Sequence, residues 1–490
     1  MSDSINASGK ESRKHKIKLN LWQALLPVVL LVGMLAYNVF VYGDDSLDGS
    51  NQFILLLGAA VAAIVGVSKG AKFQNMIEDV AKNLKSTTEP VLILLMVGAL
   101  AGTWLLSGII PTMIYYGLQI LNPTIFLAAC VVICAIISVA TGSSWTTSAT
   151  VGIALIGIAD ALGVSVGMTA GAVLSGGYFG DKLSPMSDTT NLAPAMAGTD
   201  LFTHIRYMTI TTVPTIVITL VVFVIIGLNL DTAGQTNPTE ILNSIDASFT
   251  ISGWLFVVPV LVIILIIKKT PPLIALLVGT LLAAFAALFF QPDLVQLIGG
   301  GEVLNFETAY RGIIDAITVD ITVPTDNESL QDLFSAGGMY GMLGTIWLII
   351  CAMVFGGIMD AIGALERISE ALLNLFTSTF GLFFSTVSSC LALNLTASDQ
   401  YLAIVVPGKM FAEAYEKKGL APENLSRTLE DSGTVTSVLI PWNTCGAYHS
   451  GVLGVPVVDY FFYAIFNYLS PFVTLSFAAF NIKIRQLTIK

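Results

Sequence analysis

Charge is scarce in this chain. Asp, Glu, Lys and Arg make up 11% of it and hydrophobic residues 55%, where a soluble globular domain carries about 25% charged residues. That scarcity leaves no room for a long soluble domain, and with a net charge of −11 no nucleic-acid partner is expected. Cysteine is also sparse. The five cysteines (Cys130, Cys134, Cys351, Cys390, Cys445) all lie in apolar segments with no C-x-x-C pair, which excludes a disulfide framework and a zinc site and leaves them as small buried hydrophobes.

What is present is long apolar runs. Leu21–Val41, Thr211–Leu230, Ile251–Ile267 and Pro272–Phe290 are nearly free of charge, and roughly 20 such residues cross a bilayer core. The fold class is an all-α polytopic membrane protein. Residues 1–20 are polar and basic and the apolar run after them is too long for a signal-peptide core, so 21–41 reads as a retained first span.

The charges are sorted by side. With Lys10, Arg13, Lys14, Lys16 and Lys18 placed in the cytoplasm, the acidic loop with Asp44, Asp45 and Asp48 lies outside and Lys69, Lys72, Lys82 and Lys85 inside. Lys182, Lys409 and Arg427 fall within membrane segments; of the remaining Lys and Arg, all but Arg311 land on the cytoplasmic side, as the positive-inside rule requires. Both termini are therefore expected in the cytoplasm.

This threading predicts about ten crossings, near 21–42, 52–68, 90–108, 164–197, 211–230, 251–268, 271–290, 340–360, 420–442 and 456–481. Two further pieces, 124–160 and 378–415, read as re-entrant hairpins, because tips as polar as Thr141–Ser148 and Asn394–Gln400 are tolerated at membrane depth only under protein or water. Two spans, 164–197 and 420–442, carry polar breaks. The order span, span, span, hairpin, broken span, span holds for 21–230 and again, after an external linker at 231–250, for 251–481, before a cytoplasmic tail at 482–490. The two copies enter from opposite sides, so the expected architecture is a pair of inverted-topology repeats. Residues 70–89 and 302–320, at matching places in the halves, have mixed polarity and are expected to lie along the membrane surface.

The breaks concentrate the chemistry. Asp181, Asp188, Asp399, Glu430 and Asp431 are carboxylates in apolar surroundings, and ionisable groups there mark ion or substrate paths. Hard cations favour all-oxygen ligands, which nominates Ser143, Ser144, Thr146, Thr147, Thr189, Asn191, Asn394, Thr396, Ser398, Ser432, Thr434, Asn443 and Thr444 beside Asp181, Asp188, Asp399 and Asp431. Asp188 and Asp399 are the expected direct Na+ ligands. A site that holds either a proton or a sodium ion, combined with alternating access, suffices for antiport. Blander roles accompany several of these residues. Asp181 pairs locally with Lys182 in one reading. Asp399 is also a helix N-cap. Of Glu430 and Asp431, one is expected to pair structurally with Arg427, and Asp431 is favoured as the ligand. His204 and His449 read as satisfied interfacial polar groups, and Trp145 as a seal of the hairpin tip against lipid.

Gly180-Asp181-Lys182-Leu183-Ser184-Pro185-Met186-Ser187-Asp188-Thr189-Thr190 resembles the signature of the NhaC family of Na+/H+ antiporters. Thr141-Gly142-Ser143-Ser144-Trp145-Thr146-Thr147 is similar to that family's hairpin motif, and Pro441-Trp442-Asn443-Thr444-Cys445-Gly446 to its second-half motif. The resemblance spans essentially the whole chain. It implies exchange of Na+ for H+ across a bacterial inner membrane, with Na+ as cargo and no cofactor. It also implies kinship with the ion transporter superfamily, in which hairpins and broken helices form a domain that slides against a scaffold, and it admits a homodimer.

The alternative is a cation-coupled exchanger of small carboxylates such as malate and lactate, or of amino acids, since the family includes a malate and lactate exchanger. An organic anion wants cations or helix N-termini at its site, and carboxylates outnumber cations at the breaks. An intramembrane aspartyl protease is disfavoured because Gly177-Tyr178-Phe179-Gly180-Asp181 is one residue too long for Gly-x-Gly-Asp. A channel is disfavoured because competing buried acids imply stepwise binding. The chain is not expected to be an enzyme.

Overall fold

The computed structural model describes residues 18–42, 46, 49–120, 122–230, 238–325, 331, 333–374 and 378–487. Asp44, Asp45 and Asp48 of the acidic loop, most of the basic N-terminal tail and part of the 231–250 linker lie outside the described residues.

Side-chain caps set many of the helix starts. Asn122 accepts from the Thr124 N–H ahead of a helix with Pro123 at its first position, a residue whose fixed φ suits that place. Ser165, Ser187, Asp200, Asn305, Ser378 and Asp399 cap later helices in the same way, each satisfying an N–H that the first turn leaves unpaired.

The helices of the first half are α1 Leu21–Tyr42, α2 Ser50–Ser68, α3 Phe73–Ser86, α4 Thr88–Leu106, α5 Ile109–Ile120, α6 Pro123–Thr141, α7 Ser144–Thr147, α8 Ile153–Ala161, α9 Val166–Leu183, α10 Asp188–Ala197 and α11 Leu201–Leu228. After α12 Pro238–Ser248 come α13 Val257–Ile267, α14 Pro272–Phe290, α15 Pro292–Ile298 and α16 Phe306–Thr318. A two-stranded antiparallel pair follows, β1 Ile321–Thr322 with β2 Ser335–Ala336. The chain then runs through α17 Gly338–Gly341, α18 Leu343–Ala361, α19 Ala364–Leu373, α20 Thr379–Thr396, α21 Gln400–Lys417, α22 Pro422–Leu429, α23 Thr444–Leu453, α24 Val457–Tyr460 and α25 Ile465–Ala479.

Among the described residues, eight helices are long and apolar enough to cross a membrane, or nine if a pair bent by 87°, Ile241–Ser248 with Gly253–Ile267, counts as one. Six match expected crossings; the other two, α6 and α20, are the first arms of the hairpins. Three expectations need correction. The span expected at 251–268 is a short helix behind a sharp bend. The last span, expected from 456, contains only the 15-residue α25, with the brief α24 before it. The second broken span does not end at 442: past α22 the helix widens into a π-turn over Glu430–Thr434, tightens over Ser437–Leu439, becomes extended at Ile440 and resumes as α23.

Close helix approach follows glycine. Gly176 and Gly180 of α9 face α6, where an added Cβ would lie 2.2 Å from the Val131 carbonyl oxygen and 2.5 Å from Ser138 Cβ. This small-xxx-small spacing lets membrane helices pack backbone to backbone, and the Ser138 hydroxyl donates across the seam to the Gly177 carbonyl at 2.5 Å. The two mixed-polarity stretches are helices, and each packs on the other half. α3 meets α18 at Gly357, where a Cβ would fall 2.7 Å from Val80 Cα, and α16 meets α4 at Gly102, where it would fall 1.8 Å from the Ala316 oxygen. They are buried on one face by protein, with Met76 and Val80 in α3 and Gly312 and Ala316 in α16 inaccessible.

Candidate functional site

The hairpin tips and the interrupted helices converge, and the nominated residues divide among three clusters.

The first surrounds a cavity of about 600 Å³ bordered by both hairpins, the α9–α10 break, the start of α4 and the segment 266–272. Gly142 ends α6 in the left-handed region at φ 75°, and Ser143 then caps α7 by accepting the Thr146 N–H at 3.1 Å. Ser144 thereby becomes the first helical residue, with a free N–H at the positive end of the helix. That N–H (3.0 Å) and the Ser144 hydroxyl (2.6 Å) both donate to Asp181 Oδ2. On the far side of the break Ser187 caps α10. Asp188 starts that helix and is exposed to the cavity, and the Thr189 hydroxyl donates at 2.9 Å to Glu430 Oε1. Glu430 is fully buried and its Oε2 has no hydrogen bond among the described residues. Ser143 and Thr146 also line the cavity, together with Glu89 and Lys269.

The second cluster consists mostly of amides and hydroxyls, with the single carboxylate Asp399, and joins the other hairpin to its interrupted helix. Asn394 Nδ2 donates to the Gly433 carbonyl at 2.7 Å and to the Thr436 hydroxyl at 3.1 Å. Asn443 Nδ2 donates to the Asn394 carbonyl at 3.0 Å, while Asn443 Oδ1 caps α23. The Thr444 N–H reaches the Ser398 carbonyl at 3.0 Å, and Ser398 itself sits at φ 58°. Asp399 accepts the Leu402 N–H at 2.9 Å, as the N-cap reading expects.

The third cluster is ionic. Lys182 Nζ is paired with Asp431 Oδ1, both side chains wholly buried, and also reaches Ser470 Oγ at 3.2 Å. Asp431 Oδ2 accepts from the Thr211 hydroxyl at 2.9 Å and from the Thr474 hydroxyl.

This geometry corrects several expectations. Asp181 is held by Ser144, and it is Asp431 that takes Lys182. Neither Glu430 nor Asp431 pairs with Arg427, whose guanidinium is buried without a hydrogen bond among the described residues and lies 4.5 Å from the Tyr207 ring centroid. Consecutive helical residues point in different directions, and here Glu430 turns toward Thr189 and the cavity wall while Asp431, expected as the ligand, turns toward α9, α11 and α25. Of the two expected Na+ ligands, Asp188 lines the cavity, and Asp399 lies next to Gln400 and Tyr401, which line it. Asn191 ties back to the Pro185 and Ser187 carbonyls. Thr147, Thr396 and Ser432 bond carbonyls of their own helical turns, and Thr434 lies within the π-turn.

Trp145 stacks on Tyr448 of α23 with centroids 4.0 Å apart, so it seals against protein rather than lipid. His204 and His449 are fully buried in protein and meet Ser426 at 2.8 Å and Ser148 at 3.0 Å. Sequence reasoning missed Glu89, Lys269, Thr211, Ser470 and Thr474. Charge beside an apolar run signals the first two; nothing local signals a threonine or serine that caps a buried carboxylate from another helix.

A polytopic helical protein with two interrupted helices, two hairpins and a carboxylate-lined cavity among them is a membrane transporter, not an enzyme. The chain belongs to the Na+/H+ antiporter family, whose model matches residues 176–482. It is similar to the Na+/H+ antiporter NhaC of Alkalihalophilus pseudofirmus, 37% identical over 87% of this chain and 90% of that one. It is also similar to the NhaC antiporter of Bacillus subtilis, 34% identical over 86% and 90%, and to the malate-2H+/Na+-lactate antiporter of Bacillus subtilis, 36% identical over 93% and 92%.

Proposed function

We propose that this chain exchanges Na+ for H+ across the inner membrane by alternating access, with both ions competing for the carboxylates of the first cluster. One observation carries the reading: the cavity wall holds three carboxylates, Glu89, Asp181 and Asp188, against one cation, Lys269. Glu430 sits one hydrogen bond behind that wall through Thr189. Ser143, Thr146, Ser187 and Thr189 add hydroxyls to that wall, an oxygen-rich surface of the kind that suits a hard monovalent ion. A carboxylate that accepts hydrogen bonds and stays ionised attracts Na+; protonated, it does not.

The charge threading puts Lys85 and Lys269 on the cytoplasmic side. The cavity walls at Ser86, Glu89 and Lys269 then make this the inward-open state, with both termini in the cytoplasm. The mutual packing of α3 on α18 and α16 on α4, each at a glycine, supports two inverted repeats whose first three spans build a scaffold. The hairpins and interrupted helices then move together against it, elevator-like, because the buried Lys182–Asp431 pair and the Thr189–Glu430 bond tie the two interrupted helices to one another.

The malate and lactate relative, at 36% identity, falls between the two NhaC antiporters at 37% and 34%, so coupled exchange of small carboxylates is the second reading. Everted vesicles carrying a respiratory pH gradient separate the two. NaCl alone is expected to dissipate the gradient, and KCl much less. Dissipation only when malate or lactate is present would overturn simple Na+/H+ exchange in favour of the coupled exchanger.

A further inference from the structure

We propose that a groove sharing no lining residue with the transport cavity, between the start of α11 and the C-terminal segment, holds the headgroup of an anionic phospholipid. The groove has a volume of about 470 Å³; its walls include Arg206, Tyr207 and Ile210 from α11 and Lys483, Ile484 and Arg485 from the segment beyond α25. Three of these are cations, and among the described residues no carboxylate lines it. Among the described residues Arg485 alone of the three has an ionic partner, Glu423 at 2.8 Å.

The wall is built rather than incidental. Asn424, wholly buried, donates to the Arg485 carbonyl at 2.7 Å and accepts from the Tyr207 hydroxyl at 2.6 Å, and the same hydroxyl lies 2.5 Å from the Lys483 carbonyl. The Ala421 N–H donates to the Arg485 carbonyl and the Leu487 N–H to the Gly419 carbonyl. These bonds pin an otherwise exposed tail segment so that its cations face those of α11.

A second, independent observation points to an anion. Arg427 is wholly buried, among the described residues none of its three guanidinium nitrogens has a hydrogen bond, and it lies over the ring of Tyr207, a residue that lines the groove. A buried charge without a partner is costly, and a bound anion nearby reduces that cost. The surroundings select a lipid. Phe202, Phe480, Ile482 and Leu487 are exposed apolar side chains at the ends of the same segments, placed to meet acyl chains, and basic pockets between membrane helices are the usual seat of anionic headgroups.

The test uses the full-length protein purified in detergent and titrated with phosphatidylglycerol, phosphatidylcholine or inorganic phosphate. Thermal unfolding and native mass spectrometry are the readouts. Phosphatidylglycerol is expected to raise the unfolding temperature and stay bound where phosphatidylcholine does not. The paired substitution Arg206→Gln with Lys483→Gln should weaken that binding roughly thirtyfold, at about one kcal/mol per cation, and Arg206→Lys with Lys483→Arg should retain it. If the neutral pair fails to fold, Lys483→Gln alone should show a loss of about fivefold. Equal stabilisation by the two lipids, unchanged binding in the neutral variants, or inorganic phosphate matching the lipid would each overturn the proposal, the last by making this a free-phosphate site.

Discussion

Lys182 and Asp431 lie 249 positions apart in the chain and form one ion pair with neither side chain exposed. Each belongs to an interrupted helix, Lys182 to the last turn of α9 and Asp431 to the π-turn after α22. Two further hydroxyls, from Thr211 and Thr474, complete the coordination of Asp431. The pair therefore locks four helices around one carboxylate.

A lock of this kind has a testable asymmetry. Removing one member strands a buried charge and costs about 3–5 kcal/mol, whereas replacing both with apolar groups is often neutral or better. Lys182→Met and Asp431→Leu should each lower the unfolding temperature of the purified protein sharply, and the double variant should recover most of the loss. A double variant no more stable than the worse single one would show that the pair does not act as a structural unit.

Asp181 has a different expected phenotype. Asp181→Asn keeps its shape and one oxygen but cannot titrate, so exchange in proteoliposomes should be abolished while the unfolding temperature changes little. Ser144→Ala removes one of the two donors to Asp181 Oδ2, and losing a hydrogen bond to a charged group costs about 1.5–3 kcal/mol. Wild-type turnover in the Asp181→Asn protein would remove the residue from the mechanism.

Glu430 separates the geometric reading from the one based on sequence. Glu430→Gln should impair Na+-dependent proton flux more than folding, because Glu430 backs the cavity through Thr189. Asp431→Asn should instead show its main effect in stability. Flux and unfolding temperature measured on both variants decide the matter, and the opposite pattern would return Asp431 to the ligand role.

The proposed competition between Na+ and H+ predicts a pH signature. Protonation of a ligand carboxylate removes the Na+ site, so apparent Na+ affinity should fall as pH falls, by up to about tenfold per pH unit for each proton displaced. Above the titration range it should level off. With Asp181, Asp188 and Glu430 near one another, the fitted midpoint belongs to the cluster. Calorimetry of Na+ binding from about pH 6 to 9 checks this; affinity independent of pH in an actively exchanging protein would mean that the proton travels by a separate route.

Topology can be read with thiols, since the five native cysteines are all buried. Ser86→Cys, exposed at the cavity, should react with an impermeant reagent applied from the cytoplasm, and Glu302→Cys, also exposed, only from the periplasm. Labelling of both from one side would break the threading and the inverted repeat with it.

Much of this architecture was legible in the residues. Apolar length located the long helices, and the polar tips Thr141–Ser148 and Asn394–Gln400 marked the turns at Gly142–Ser143 and Ala397–Asp399. The break at Ser184–Ser187 followed from Pro185 between two serines, one of which caps α10. These are local effects, set by solvation, cap chemistry and backbone freedom within a few residues. The second interrupted helix was less legible, because a π-turn keeps helical composition: Glu430–Thr434 reads as a polar break, yet the chain stays helical there and opens only near Ile440.

The sequence by itself determined the membrane class, the positions of the long helices and hairpins, and the set of ionisable groups confined to low dielectric. Only the tertiary structure decided which of those groups face the cavity. Glu430 and Asp431 are neighbours with the same chemistry, and their fates differ because Thr189 is presented to one and Lys182, Thr211 and Thr474 to the other. Those partners come from α9, α10, α11 and α25, and their meeting is set by how helices distant in the chain pack together, a long-range outcome that no local pattern encodes.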